Sequence, residues 1–239
     1  MHPPAARTLA LVAAPVLWRQ GARVRARTPD LPEAGGPRHG IAGERSTARR
    51  LLVVGESTAA GVGVTHQHEG LAAQLAARLV DGGWSGVDWQ VVARSGATAR
   101  ALHDEVLPGT PRSPHDLAVV VLGVNDTLRL RTVRTWQRDV ARIVVALAST
   151  AAPGARTVLA GVPDLGAFPA LPRPLGAVLG AHARHLDAGL AQLAGGRHDL
   201  LHVPVPTAGG EAYASDGFHP GAEGYRRWAM QLADAVTAG

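Results

Sequence analysis

From residue 51 onward the sequence alternates short apolar runs with longer amphipathic ones, and this alternation leaves few folds open. Residues 51–55, 87–93, 117–122, 157–161 and 200–203 are short and rich in Val, Leu and Ala. Apolar runs of that length bounded by turn residues read as strands buried on both faces. Between and after them, residues 67–80, 98–106, 133–149, 175–193 and 222–238 carry apolar residues at helical spacing. Terminators follow three of these segments: Gly82-Gly83, Pro153-Gly154 and Gly195-Gly196. Strands alternating with helices predict a five-stranded parallel sheet covered on both faces, a three-layer α/β/α sandwich with right-handed crossovers. In such sheets the working residues lie just past the carboxyl ends of the strands.

Composition supports a packed domain. Hydrophobic residues make up 46% of the 239 residues and aromatics only 4%, so the core must be built from Ala, Val and Leu. The absence of Cys excludes disulfides, thiolate metal sites and cysteine nucleophiles. All basic residues other than His are Arg, and the charge is uneven. Residues 1–50 hold nine Arg against three acids, while residues 51–239 hold 15 Arg against 16 acids. The body is close to neutral, so the high overall pI does not argue for a nucleic-acid partner, and none is expected.

The chain therefore divides into an N-terminal segment, residues 1–50, and a domain, residues 51–239. The segment opens with an apolar run at 9–18, too short to span a bilayer, followed by Arg19, Arg23, Arg25 and Arg27. It reads as a helix packed on the domain, with a peripheral membrane contact through residues 9–27 as the sharper alternative. No convincing small-residue cleavage site precedes the Arg cluster, so a cytoplasmic or membrane-associated placement is favoured over secretion. Residues 28–47 read as an extended linker.

Chemistry-bearing residues fall at the strand ends. Gly55-Glu56-Ser57 follows the first strand, and a Ser on a tight strand-to-helix turn is well placed as a nucleophile facing free helix N–H groups. Ser95-Gly96 follows the second strand, and a Gly lets a ligand approach the backbone closely. Gly123-Val124-Asn125-Asp126 follows the third, and Asn125, the only Asn in the chain, can offer an amide donor. A Ser and two donors at three adjacent strand ends can converge on one point, as an oxyanion hole requires. Near the C-terminus Asp216 precedes His219 by three residues. Such an Asp can orient one ring nitrogen while the other takes the Ser proton. His66 and His68 beside Glu69, and the His182–His185 pair, read as solvated residues, so no metal is expected.

Taken together, Gly-Glu-Ser, then Gly96, then Gly-x-Asn-Asp, then Asp-x-x-His-Pro resembles the GDSL or SGNH hydrolase superfamily. The resemblance implies a flavodoxin-like α/β/α fold and an esterase or lipase-like activity on a small-molecule ester without a cofactor. It implies Ser57 as nucleophile, Asp216 and His219 as its acid and base partners, and Ser57, Gly96 and Asn125 as oxyanion donors. The sequence departs from the family's name motif at Glu56, where Asp is usual, and at Thr58. The apolar, Pro-rich stretch after the fourth strand is expected to line an acyl pocket with Leu165, Phe168 and Leu171. A short to medium acyl chain is the favoured substrate. A carbohydrate acetylesterase, a thioesterase or a lysophospholipase is the alternative.

Overall fold

A computed structural model describes residues 3–109, 114–206 and 209–238, with side chains from residue 14 onward. Its centre is a six-stranded sheet: β1 (His39–Gly43), β2 (Arg49–Gly55), β3 (Gly86–Ala93), β4 (His115–Val121), β5 (Ala151–Ala160) and β6 (Leu200–Val203). The strand order is β1-β3-β2-β4-β5-β6, with every pairing parallel except β1 against β3. Successive side chains of the central strand enter opposite layers, as the two-residue period of a strand dictates. Leu51 and Val53 join one core, and Leu52 and Val54 join the other. This double burial is why the strands read as unbroken apolar runs rather than alternating ones.

One layer holds α2 (Leu71–Asp81) and α7 (Ala222–Thr237), which pack Leu75, Leu79, Tyr225 and Leu232 on the sheet. The opposite layer holds α3 (Ala99–Ala101), α5 (Val133–Ala148) and α6 (Leu175–Ala194), with Trp136, Ile143, Leu186 and Leu190 in its core. A short α4 (Val124–Leu128) starts directly after the Gly123 turn. The N-terminal α1 (Pro3–Arg27) docks against this second layer: Gln20 donates to the carbonyl of Arg173 at 2.7 Å and accepts from the N–H of Leu175 at 3.0 Å. Val24 packs on the same core.

Three expectations need correction. The sheet has six strands, not five, because residues 39–43 of the expected linker form β1 along the open edge of β3. Backbone pairing holds this strand, and its residues are at most half-buried, so it carries no apolar signature. Pro153-Gly154 does not close the preceding helix, which ends at Ala148; it lies within an irregular start of β5, where the register against β4 shifts between His115 and Leu117. The helix expected to face Ser57 with its free N–H groups does not follow that turn directly: residues 56–61 form a single helix-like turn, and α2 starts at Leu71.

Candidate active site

Adjacent turns at the carboxyl ends of β2, β3 and β4 bring the candidate residues together. Ser57 follows β2 on its turn and is 7% exposed. Its Oγ lies 2.9 Å from His219 Nε2, and His219 Nδ1 lies 2.6 Å from Asp216 Oδ2. An ionised carboxylate only accepts, so Nδ1 carries the ring proton and Nε2 is left to accept from the Ser57 hydroxyl. The other carboxylate oxygen of Asp216 accepts from the N–H groups of Phe218 and His219 at 2.9 and 3.0 Å. Asp216 is thus buried and held at both oxygens, and the loop that bears it fixes the imidazole.

Two glycines set the donor turns. Gly96 has φ +77° and Gly123 has φ +125°, conformations in which an L side chain is strained. At Gly123 a Cβ would also meet Val162 Cγ2 at 2.5 Å. The approach to Gly96 is open, and among the described residues nothing bonds the backbone N–H of Ser57 or of Gly96.

Glu56 is the residue whose part the sequence did not reveal. Fully buried beside Ser57, it accepts at Oε1 from the N–H of Val124 at 2.9 Å and at Oε2 from the N–H of Asn125 at 3.0 Å. It also accepts from Asn125 Nδ2, whose amide further approaches the carbonyl of Ala97 at 3.3 Å. Asp126, also buried, accepts from the N–H of Ala99 at 2.9 Å. The two acids therefore tie the β4 turn to the β2 turn and to the β3 turn. With no cation in direct contact among the described residues, burial pushes Glu56 up to about 7 and Asp126 up to about 6, against the lowering effect of those N–H donors and, at Asp126, of the nearby Arg131 and Arg129. The available signal was two acids at the ends of otherwise apolar strands, each adjacent to a motif residue.

Beside Ser57 and His219 opens a cleft of about 200 Å³. Phe168 lines it, with Val205, Tyr213, Phe218 and Trp228. Phe168 meets Phe218 edge-on at 5.0 Å, and Phe218 meets the His219 ring at 5.5 Å. Leu165 and Leu171 do not line it. Both are buried in the core against α6, because the short 3-10 turn Leu165–Ala167 folds that stretch inward. Besides Phe168, the aromatic wall comes from the segment around Asp216 and from α7.

Known proteins bear on this geometry. The GDSL-like Lipase/Acylhydrolase family matches residues 53–227, most of the chain and all of the motif turns. The chain belongs to that family. It is 29% identical to a GDSL-like esterase of Mycobacterium tuberculosis over 202 residues, 78% of this chain. The match spans 62% of that relative's length, less than two thirds of it. Among solved structures, a lipase from a goat rumen metagenome is similar with a TM-score of 0.61 at 16% identity, covering 79% of this chain and 97% of that one. An extracellular lipase of Streptomyces rimosus is similar with a TM-score of 0.52 at 22% identity, covering 79% of this chain and 100% of that one. Both structural likenesses concern the fold: an α/β architecture with a mostly parallel central sheet between helices.

Proposed function

We propose that this GDSL-family chain hydrolyses carboxylic esters of short to medium acyl chains by two-step acyl transfer at Ser57. The observation that carries the reading is the continuous hydrogen-bonded line from Ser57 through His219 to Asp216. As Ser57 Oγ attacks the ester carbonyl, its proton passes to His219 Nε2 and a bond forms between Oγ and the acyl carbon. The charge on the carbonyl oxygen is met by the free N–H groups of Ser57 and Gly96 and by the Asn125 amide hydrogen that turns to it from its long 3.3 Å contact with the Ala97 carbonyl. The ester C–O bond then breaks, and His219 returns the proton to the leaving alcohol. Water repeats the steps in reverse order and frees the acid and Ser57. Asp216 holds the imidazole in the required tautomer and stabilises it while charged.

Glu56 acts through Asn125. Its ionised carboxylate is the acceptor that orients both the backbone and the amide of that donor. The cleft supports the chain-length part of the reading. A dry cavity of roughly 150 Å³ accommodates benzene, so the cleft's about 200 Å³ suits an acyl chain of similar or slightly greater carbon count. Its aromatic wall favours hydrocarbon over a sugar ring. The test is hydrolysis of a p-nitrophenyl ester series, acetate to palmitate, by wild type and Ser57→Ala. The expected result is turnover peaking below the long chains and lost by about 10⁴-fold or more in the variant. Full activity in a folded Ser57→Ala protein would sink the mechanism, and a peak at acetate with activity on acetylated sugars would replace the substrate class.

A further inference from the structure

The arginines of α1 differ from those of the domain. Elsewhere among the described residues many arginines pair with acids, such as Arg38 with Glu33, Arg50 with Asp116, Arg94 with Glu105 and Arg184 with Asp164, although Arg129, Arg131 and Arg134 do not. Arg19, Arg23, Arg25 and Arg27 are exposed and have no ion-pair partner among the described residues. No acid precedes Asp30 in the chain, so nothing on the helix itself offsets them. Leu17, Gln20, Gly21 and Val24, at helical spacing, are the partly buried residues that face the domain. Off that face stand Trp18, 75% exposed, and Val16, 48% exposed. The residues before Trp18 are apolar back to Leu9.

The outward face of α1 thus carries an exposed Trp flanked by unpaired arginines, which is the chemistry of an interfacial helix. The Trp and aliphatic side chains enter the boundary between headgroups and acyl chains, and the guanidinium groups meet anionic headgroups. No helix among the described residues is long and apolar enough to cross a membrane. We infer that α1 is a docking surface for an anionic lipid bilayer, engaged through Trp18 with Arg25 on one flank of its outward face and Arg19 and Arg23 on the other. The helix lies beside the catalytic loop: the gap between them is lined by Gln20, Arg23 and Val24 on one side and by Pro169, Ser215 and Asp216 on the other. A bilayer held by α1 therefore meets the protein next to the segment that bears Asp216.

The test is co-sedimentation of the full chain with phosphatidylcholine vesicles and with vesicles of phosphatidylcholine and phosphatidylglycerol in equal parts, at low and high salt. Binding is expected only to the anionic vesicles and is lost at high salt. Each arginine near such a surface is worth about fivefold in affinity, so Arg19→Gln, Arg23→Gln and Arg25→Gln together lower it on the order of a hundredfold. Trp18→Ala weakens binding and removes a vesicle-induced blue shift in Trp fluorescence. Hydrolysis of p-nitrophenyl butyrate without vesicles is unchanged in these variants, which separates the surface from the catalytic reading. The inference is overturned if wild type ignores anionic vesicles, binds both vesicle types alike, or prefers duplex DNA, or if the triple variant binds as wild type does.

Discussion

The two ends of the sheet treat their acids in opposite ways. At the amino end, Asp116 accepts from the backbone N–H of Arg50 at 2.7 Å and from its guanidinium at 3.1 and 3.2 Å. Burial pushes Asp116 up, but the hydrogen bonds and charge of Arg50 outweigh it and hold the acid below its ordinary value. At the carboxyl end, Glu56 and Asp126 are deeper and accept chiefly from N–H groups, and burial raises both. A salt-bridged acid near solvent is a local fastening that one exposed cation satisfies. A buried acid that gathers backbone donors from neighbouring strand ends fixes the relative position of whole turns, at the cost of an easily protonated carboxylate. The difference teaches that the proposed oxyanion donors depend on the charge state of an acid at their own end of the sheet.

The comparison can be broken or sharpened by substitution. The largest effect is expected at Asp216, where Asp216→Asn releases the tautomer of His219 and lowers kcat by about 10⁴-fold with little change in melting temperature. Stopped assays with p-nitrophenyl butyrate read this, and a loss below tenfold would contradict the role given to the acid.

Next comes Glu56→Gln. The new amide donates where an acceptor is needed, opposite the N–H groups of Val124 and Asn125. A drop of about ten- to a hundredfold in kcat is expected, short of the full loss of an oxyanion donor, with KM little changed. The pH dependence follows from the sign of the shift. The value of Glu56 in the fold, about 7, lies above its ordinary 4.5, so its protonated form favours folding at low pH. That contribution is complete below 4.5 and is lost as the pH rises through about 7. Activity runs the other way, since only the ionised form accepts all three donors. The wild-type kcat is expected to climb through this range more steeply than that of Glu56→Gln, and superimposable profiles would remove Glu56 from the mechanism.

A smaller effect is expected at the cleft wall. Phe168→Ala opens the space against Phe218 and Tyr213, so the optimum of the ester series moves to longer chains with a severalfold change in relative kcat/KM. An unmoved profile would mean that Phe168 does not set the chain length. The smallest effect belongs to the amino end. Asp116→Asn removes a pair whose side chains are about a third exposed, worth about 1 kcal/mol or less. Its acid lies below the ordinary 3.8, so the stability it adds is present above that pH and is lost as the pH falls through the lowered value. Activity of Asp116→Asn at neutral pH should equal that of wild type. A loss there would show that the two ends are coupled after all.

Much of this was legible in the chain. The five parallel strands follow from apolar runs whose two faces are both buried, and the turns bearing Ser57, Gly96 and Asn125 fall where those runs stop. Asp216 and His219 need only three residues of separation to meet, so local sequence already holds their geometry. β1 was not legible, because an edge strand such as His39–Gly43 is held by backbone hydrogen bonds that every residue type can make. Nor was the inward turn of Leu165 and Leu171. An apolar residue in a loop can line a cleft or join the core, and only the packing of that loop on α6 decides between them. Glu56 was visible as a departure from the family motif, but its three donors come from residues 68 and 69 positions away. The sequence by itself determined the alternation of the five parallel strands with their helices and the chemistry available at their ends. Tertiary structure alone decided which of those groups share a donor, a cavity or a charge state, because such contacts join residues far apart in the chain and leave no periodic trace in it.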